Sequence, residues 1–252
     1  MTRKRMVLVL AALLVLTTAV ALGASQTMQT QVPPAAIVES PNARANPGQP
    51  RPTVYPAPGL PDASAPVEYY TDFGKGLDGW QSLPSAQARW EVTQGRLVQA
   101  GDTSGDIADE DAVLIISGVT FKDGTIEAHV YPTSGAPVGL VFRGSDAGYY
   151  RLTLFNDVPN DSPKALLQKV TPEGIRDIAS VPVTSFAGLT LARWQHISVT
   201  ANGTHITVSV EGRPLIEASD PSFSAGWAGV WTYADMGAQF DNVRIQRQSA
   251  GR

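Results

Sequence analysis

Cysteine is missing from this sequence of 252 residues. Its absence excludes disulfide bridges, thiolate metal ligands, cysteine nucleophiles and the lipid-bearing cysteine of a bacterial lipoprotein. A domain without disulfides must be stabilised by its hydrophobic core, and such a core needs a domain of well over about 100 residues. We therefore expect one large folding unit rather than a small cross-linked scaffold.

Clusters of basic residues are also missing downstream of the N-terminus, and the formal net charge is −4. A mildly acidic chain of this kind lacks the positive surface that attracts phosphate backbones or anionic lipid headgroups. The sequence thus predicts no nucleic-acid partner. It predicts contact with a membrane only through its N-terminal segment, and only if that segment is not cleaved.

That N-terminal segment has the order of an export signal. The basic stretch Thr2–Arg5 precedes an uncharged apolar run, Met6–Leu22, and small residues follow at Gly23 and Ala24, where cleavage is favoured. The run is about 17 residues long, at the lower limit for crossing a bilayer, so a retained anchor is the alternative. As signal peptide or as anchor, residues 1–24 place the rest of the chain outside the cytoplasm. The protein is then either secreted or held at the outer side of the cytoplasmic membrane.

Proline dominates the next segment, residues 25–66, which holds more than half of the 19 prolines of the chain. Proline removes backbone donors and fixes φ, so neither a helix nor a sheet propagates through this spacing. We predict a disordered linker. It serves either as a stalk across an envelope layer, with a reach on the order of 100 Å as polyproline II, or as a spacer of unselected length.

Short alternating runs separated by Gly, Pro, Asn and Asp make up the remainder. Apolar and polar residues alternate in Thr125–Tyr131, which is typical of a strand with one buried face, and Asn202–Gly203 is a hairpin turn signal between two similar runs. No segment after the leader shows a helical period. We predict an all-β domain at 67–247, an antiparallel two-sheet β-sandwich, followed by a short tail at 248–252.

Seven short motifs run in order through this domain. They are Phe73–Trp80, Gly139–Arg143, Tyr149–Arg151, Arg193–Val199, Gly212–Leu215, Gly226–Val230 and Phe240–Ile245. The set resembles concanavalin A-like lectin/glucanase jelly rolls, in the order of the laminin-G-like branch that includes bacterial 3-keto-disaccharide hydrolase domains. The resemblance covers almost all of the domain and implies a jelly-roll sandwich, a fold that hosts lectins, enzymes and adhesion modules alike.

The catalytic pattern of the glucanase branch is not reproduced. Retaining glycosidases need two carboxylates about 5 to 5.5 Å apart, and on this fold the resemblance implies a Glu-x-Asp-x-x-Glu strand. The nearest strand offers one carboxylate, Glu127, with His129 two residues further on. These two residues form either an acid–base pair or part of a solvated strand face. The missing carboxylate favours a domain without glucanase activity.

A structural calcium ion is a further expectation. The resemblance implies a site in which Asp241 joins oxygens near Asp72, the alternative being that each carboxylate caps backbone amides. The acidic stretch Asp102–Asp111 is either a second calcium loop or a solvated loop. Zinc would require the three histidines to converge from different strands, so we predict solvated strand histidines instead.

Aromatic residues give the clearest indication of binding. Exported carbohydrate modules use exposed rings as platforms for the apolar faces of sugars. The strand parity places the side chains of five residues where they could form one ligand-binding surface. These are Arg143, Tyr149, Arg151, Trp231 and Tyr233. In the alternative interpretation, Trp231 lies in an apolar run and belongs to the core.

Together these features favour an exported, non-catalytic module that binds a glycan or an envelope polysaccharide, or interacts with another surface. One alternative is a glycoside hydrolase or lyase acting on a disaccharide or polysaccharide. The other is a laminin-G-like adhesion domain, whose partner would be an envelope protein.

Overall fold

The computed structural model of the chain describes six stretches: residues 67–84, 88–101, 111–156, 164–182, 189–233 and 237–248. The leader and the linker predicted from the sequence lie outside the described residues, as does the acidic stretch apart from its last member, Asp111. Within the six stretches there are fifteen β-strands and no α-helix. Accordingly, none of the described residues forms a helix long and apolar enough to cross a membrane.

The strands are numbered in chain order. They are β1 (Val67–Thr71), β2 (Trp80–Ser82), β3 (Trp90–Thr93), β4 (Arg96–Gln99), β5 (Ala112–Ile116), β6 (Gly124–Tyr131), β7 (Val138–Ser145), β8 (Gly148–Phe155), β9 (Lys164–Thr171), β10 (Gly174–Pro182), β11 (Gln195–Asn202), β12 (His205–Val210), β13 (Arg213–Ser219), β14 (Trp227–Thr232) and β15 (Gln239–Arg247).

Two sheets contain all of these strands. The first sheet runs in the order β13-β12-β11-β6-β15-β4-β3, with β1 also paired to β15. The second sheet runs in the order β10-β9-β8-β7-β14-β5-β2. Every described pair is antiparallel, so the predicted antiparallel two-sheet β-sandwich is confirmed.

The hydrophobic core lies between the two sheets, because alternate residues of each strand point inward. Ile126, Ala128 and Val130 of β6 face Leu140 and Phe142 of β7 within one buried cluster. All five are fully buried, and burying a Val, Leu, Ile or Phe side chain contributes about 1.5–3 kcal/mol to folding. A core of this size accounts for a fold that has no cross-links.

The predicted hairpin turn lies between β11 and β12. Gly203 has a φ of +57°, a conformation that glycine adopts without steric cost, and the turn closes the pairing of Asn202 with His205. The Gly203 amide donates a hydrogen bond of 2.9 Å to Asp123 Oδ1 in the turn before β6. The hairpin is thereby fixed at the end of the sandwich where β6 begins.

Candidate functional site

The outer face of the second sheet carries a group of aromatic side chains. In β14, Ala228 and Val230 belong to the core, whereas Trp227 and Trp231 point away from it, as does Tyr233 just after the strand. The predicted parity of this strand is confirmed. The second strand that contributes to this face is β8, whose outward residues include Tyr149 and Arg151. We call the five outward residues the aromatic face: Tyr149, Arg151, Trp227, Trp231 and Tyr233.

Two glycines of β7 make room for the indole rings of β14. A Cβ atom at Gly144 would lie 2.2–2.3 Å from three ring atoms of Trp227, and one at Gly139 would lie 1.9 Å from the Leu152 carbonyl oxygen and 3.0 Å from Nε1 of Trp231. These distances are shorter than ordinary van der Waals contacts. Each indole ring therefore packs directly on the backbone of a glycine, where a larger residue would not fit. The positions of the tryptophans therefore depend on a neighbouring strand.

Trp231 forms the floor of this face rather than an exposed platform. Its exposed fraction is 1%, and its Nε1–H donates a 2.7 Å hydrogen bond to the carbonyl of Leu152. The guanidinium carbon of Arg151 lies 4.1 Å from the centroid of the Trp231 ring, a cation–π contact. At this point of the face the planar guanidinium group of Arg151 lies on the outer side of the Trp231 indole and covers it.

Polar neighbours hold the guanidinium of Arg151 in place. Its Nε donates to Gln168 Oε1 at 3.0 Å, and its Nη1 pairs with Asp111 Oδ2. Gln168 also accepts from Thr153 Oγ1 at 2.7 Å and donates to Asp177 Oδ1 at 2.8 Å. The Arg151 side chain also interacts with that of Tyr149, and only 6% of the residue is exposed. The guanidinium is therefore fixed within the face and almost fully buried.

The half-buried rings lie beside this arginine. The ring of Tyr149 packs against that of Trp227, with centroids 5.1 Å apart, and its hydroxyl donates to Asp111 Oδ2 at 3.4 Å. Burial and the neighbouring carboxylate raise the pKa of Tyr149 far above its usual value, so the phenol stays a neutral donor. Tyr233 packs on the same cluster and is partly exposed.

Arg143 does not belong to the aromatic face, although the sequence analysis placed it on one ligand-binding surface with four residues of that face. The pairing of β7 with β8 shifts register between Phe142 and Ser145, and Arg143 itself has a φ of +51°. This irregularity breaks the alternation on which the grouping depended. The side chain is 1% exposed and donates to Asp123 Oδ1 at 3.1 Å and to the carbonyl of Gly203 at 2.8 Å. The Arg143 side chain therefore links the turn before β6 to the turn between β11 and β12, at one end of the sandwich.

Glu127 and His129 lie on the other face of the molecule, the outer side of the first sheet. Glu127 Oε1 accepts a 2.5 Å hydrogen bond from Arg244 Nε and is also ion-paired with its Nη2. Its Oε2 lies 3.4 Å from His196 Nε2, and the rings of His196 and His129 are 5.2 Å apart between centroids. His129 and His196 are thus largely buried against each other, whereas His205 on β12 is exposed as the sequence suggested.

The electrostatics of this group are unfavourable for general-acid catalysis. Burial raises the pKa of Glu127, but His196 and Arg244 together outweigh it and hold that pKa below the usual value. Burial, with a contribution from His196, lowers the pKa of His129 to about 3. Near neutral pH the carboxylate is therefore charged and His129 is neutral. Neither the ionised Glu127 nor the neutral His129 is then acidic enough to serve as a general acid.

The two residues predicted to bind calcium make local hydrogen bonds. Asp72 Oδ1 accepts from the amide of Gly74 at 2.9 Å, and Asp241 Oδ1 accepts from the amide of Asn242 at 2.8 Å. The described stretches contain no group of three or more His, Asp and Glu residues arranged to hold a metal ion. Calcium binding by Asp72 and Asp241 stays a prediction.

The sequence analysis did not identify three residues of the polar network that holds Arg151 in the aromatic face. They are Asp111, Thr153 and Gln168. Gln168 carried a signal, because it is a polar residue that alternates with the apolar Leu166 and Val170 on one side of β9. Asp111 carried none, since its role depends on β5 lying in the same sheet as β8. The first sheet likewise brings Arg244 to Glu127 through strand pairing alone.

Comparison with solved structures identifies the class of fold as the concanavalin A-like jelly roll. The carbohydrate-binding module CBM66 from Bacillus subtilis has a TM-score of 0.55 at 20% identity, over 67% of this chain and 95% of that one. A protein of unknown function with a galectin-like fold, also from Bacillus subtilis, has a TM-score of 0.52 at 12% identity, over 72% and 97%. A non-specific endo-β-1,3(4)-glucanase of family GH16 has a TM-score of 0.53 at 10% identity, over 77% and 96%. No family model matches the sequence, and no curated protein matches it.

Proposed function

We propose that this domain is a carbohydrate-binding module whose ligand lies on the aromatic face. The observation that carries the proposal is the pair of half-buried, packed rings of Tyr149 and Trp227, which lie beside the fixed guanidinium that Arg151 stacks on Trp231. Sugars combine apolar C–H faces with hydroxyl groups, so they match half-buried rings beside a rigid donor. The likeness in fold to CBM66 supports this choice.

Binding is favoured over hydrolysis by the state of the carboxylates. On the aromatic face Asp111 is paired with Arg151, and Asp177 accepts from Gln168. On the opposite face Glu127 is paired with Arg244. A retaining glycosidase needs one carboxylic acid that keeps its proton and one free nucleophile, and none of these three groups is placed to be either. We further propose that the module acts outside the cytoplasm, as the basic and apolar order of the leader suggests.

Rings that are partly exposed give the best test, because their removal does not open the core. The full-length protein and its Trp227→Ala and Tyr233→Ala variants are applied to a glycan array, and the affinity for bound glycans is then measured by calorimetry. We expect each variant to bind about fivefold more weakly, since one aromatic contact contributes on the order of 1 kcal/mol.

Tyr70→Ala is the matched control, because Tyr70 is an aromatic residue with 55% of its surface exposed but lies on β1 of the first sheet. This variant should bind as the unchanged protein does. Binding that is lost equally in all three variants, or absent from the array altogether, would contradict the proposal. Release of reducing sugar from a bound glycan would instead favour the hydrolase, and capture of an envelope protein without glycan competition would favour the adhesion domain.

A further inference from the structure

The half-buried rings of the aromatic face stand at the two ends of β14. Trp227 is the first residue of this strand, and the ring of Tyr149 packs against it with centroids 5.1 Å apart. Tyr233 directly follows the last residue, and its amide continues the strand pairing by donating to the carbonyl of Pro137 at 2.9 Å. The strand rises about 3.3 Å per residue, so its six residues separate Trp227 from Tyr233 by roughly 20 Å.

Between these rings β14 offers a flat floor. Gly229 adds no side chain to the outer face, and Trp231 is buried under the guanidinium of Arg151. The alternate residues of the strand point into the core or are fully buried. Of the strand's own residues, all of them described, none therefore blocks the way from one end to the other. A ligand can follow the strand and contact the rings at both ends.

The row of residues that crosses the sheet at Trp231 offers a ligand much less surface. Trp231 pairs with Val113 of β5 on one side and with Gly139 of β7 on the other. Gly139 in turn pairs with Thr153 of β8. Val113 and Thr153 are both buried, and the row reaches a partly exposed side chain at Leu83, whose amide donates to the Val113 carbonyl at 3.0 Å. The direction along β14 is therefore the better supplied with ring surface.

We infer that a linear glycan lies along β14 and that the aromatic face binds a run of about three or four sugar rings of it. This inference rests on the proposed function and adds the kind of ligand to it. Rings in contact have centroids about 4.5–7 Å apart, so a single sugar ring cannot reach both Trp227 and Tyr233. Stacking uses the faces of a sugar ring and leaves its edges free, and the glycosidic bonds that continue the chain leave from those edges.

The test compares ligands that differ in length alone. The polysaccharide that gives the strongest signal with the full-length protein on the glycan array is partly hydrolysed, and its fragments from disaccharide to hexasaccharide are titrated by calorimetry. We expect the tetrasaccharide to bind about fivefold more tightly than the disaccharide, because it adds a second aromatic contact, and longer fragments to gain little more. A disaccharide that binds as tightly as the tetrasaccharide would overturn the inference and leave carbohydrate binding intact.

Trp227→Ala and Tyr233→Ala each remove one end of the contact. In both variants the advantage of the tetrasaccharide over the disaccharide should fall to about twofold or less. This ratio compares two ligands on one protein, so it does not depend on how much of a variant is folded. Leu83→Ala is the matched control, because Leu83 packs on the same cluster but lies across the strands, and it should keep the ratio. A ratio that survives in Tyr233→Ala, or that Leu83→Ala abolishes, would contradict the inference.

A modified chain end gives a second measurement that needs no variant. Borohydride opens the terminal ring of a fragment and so removes one stacking face. The reduced hexasaccharide keeps enough closed rings to span β14, so its affinity should stay within about twofold of that of the unreduced fragment. A larger loss would indicate that the face recognises a chain end, and it would overturn the inference. An array without any bound glycan would overturn the proposed function itself.

Discussion

Gly144→Ala probes the packing of Trp227 across β7. The new methyl group would lie 2.2–2.3 Å from three atoms of the indole, so the ring must move. Overpacking of this kind costs about 1–3 kcal/mol. Gly144 does not have a positive φ, so alanine fits its backbone and restricts the unfolded chain, which returns about 0.4–1 kcal/mol. We expect a net loss of roughly 0.5–2 kcal/mol in the free energy of unfolding.

A double-mutant cycle isolates the clash from every other effect. In a Trp227→Ala background the indole is gone, so Gly144→Ala should become neutral or stabilise the fold by about 0.4–1 kcal/mol. Urea unfolding of the four proteins gives the coupling, which we expect to be about 1–3 kcal/mol. A coupling within about 0.5 kcal/mol of zero would refute the packing described for these two residues, because distant sites add within that limit.

Three further predictions concern buried polar groups. Arg143→Met should destabilise the fold by about 2–3 kcal/mol in urea unfolding, because it leaves the Asp123 carboxylate without its counter-ion and the carbonyls of Lys122 and Gly203 without their donor. The pKa of His129 is lowered from 6.5 to about 3 in the folded state, so only the unfolded chain takes up this proton as the pH falls below 6.5. Stability should then decline towards pH 3 by up to about 1.4 kcal/mol per pH unit, and His129→Phe should flatten that slope. Trp231→Phe should cost about 1–3 kcal/mol in thermal unfolding, since it leaves the Leu152 carbonyl unpaired; an unchanged midpoint would argue against that hydrogen bond.

Alternation along a strand was the most informative signal in the sequence. It indicated that Ile126 and Val130 point inward and that Trp227 and Trp231 point to the opposite side from Val230, and the structure confirms both. The reason is physical: a regular strand turns successive side chains to opposite faces whatever its neighbours are. The fold class follows from the same regularity repeated in many short runs.

Alternation fails where a strand is irregular, and it says nothing about which strands become neighbours. Arg143 was assigned to the aromatic face by parity, but a local shift of register and a left-handed backbone turn it to the end of the sandwich. The salt bridge between Arg151 and Asp111 joins residues 40 positions apart in the sequence, and that between Glu127 and Arg244 joins residues 117 apart. Such pairs depend on the order of strands across a sheet, which a single sequence does not encode locally.

The pairing of β1 with β15 also has a consequence for engineering. Val67, the first described residue, lies directly opposite Gln246, close to the end of the last strand. Antiparallel partners have Cα atoms about 4.5–5.5 Å apart, so a linker of a few residues could join the two ends. The domain is thus suited to circular permutation, or to insertion as a cassette into a surface loop of a host protein. Both attachment points then belong to the first sheet, and the aromatic face of the second sheet remains open.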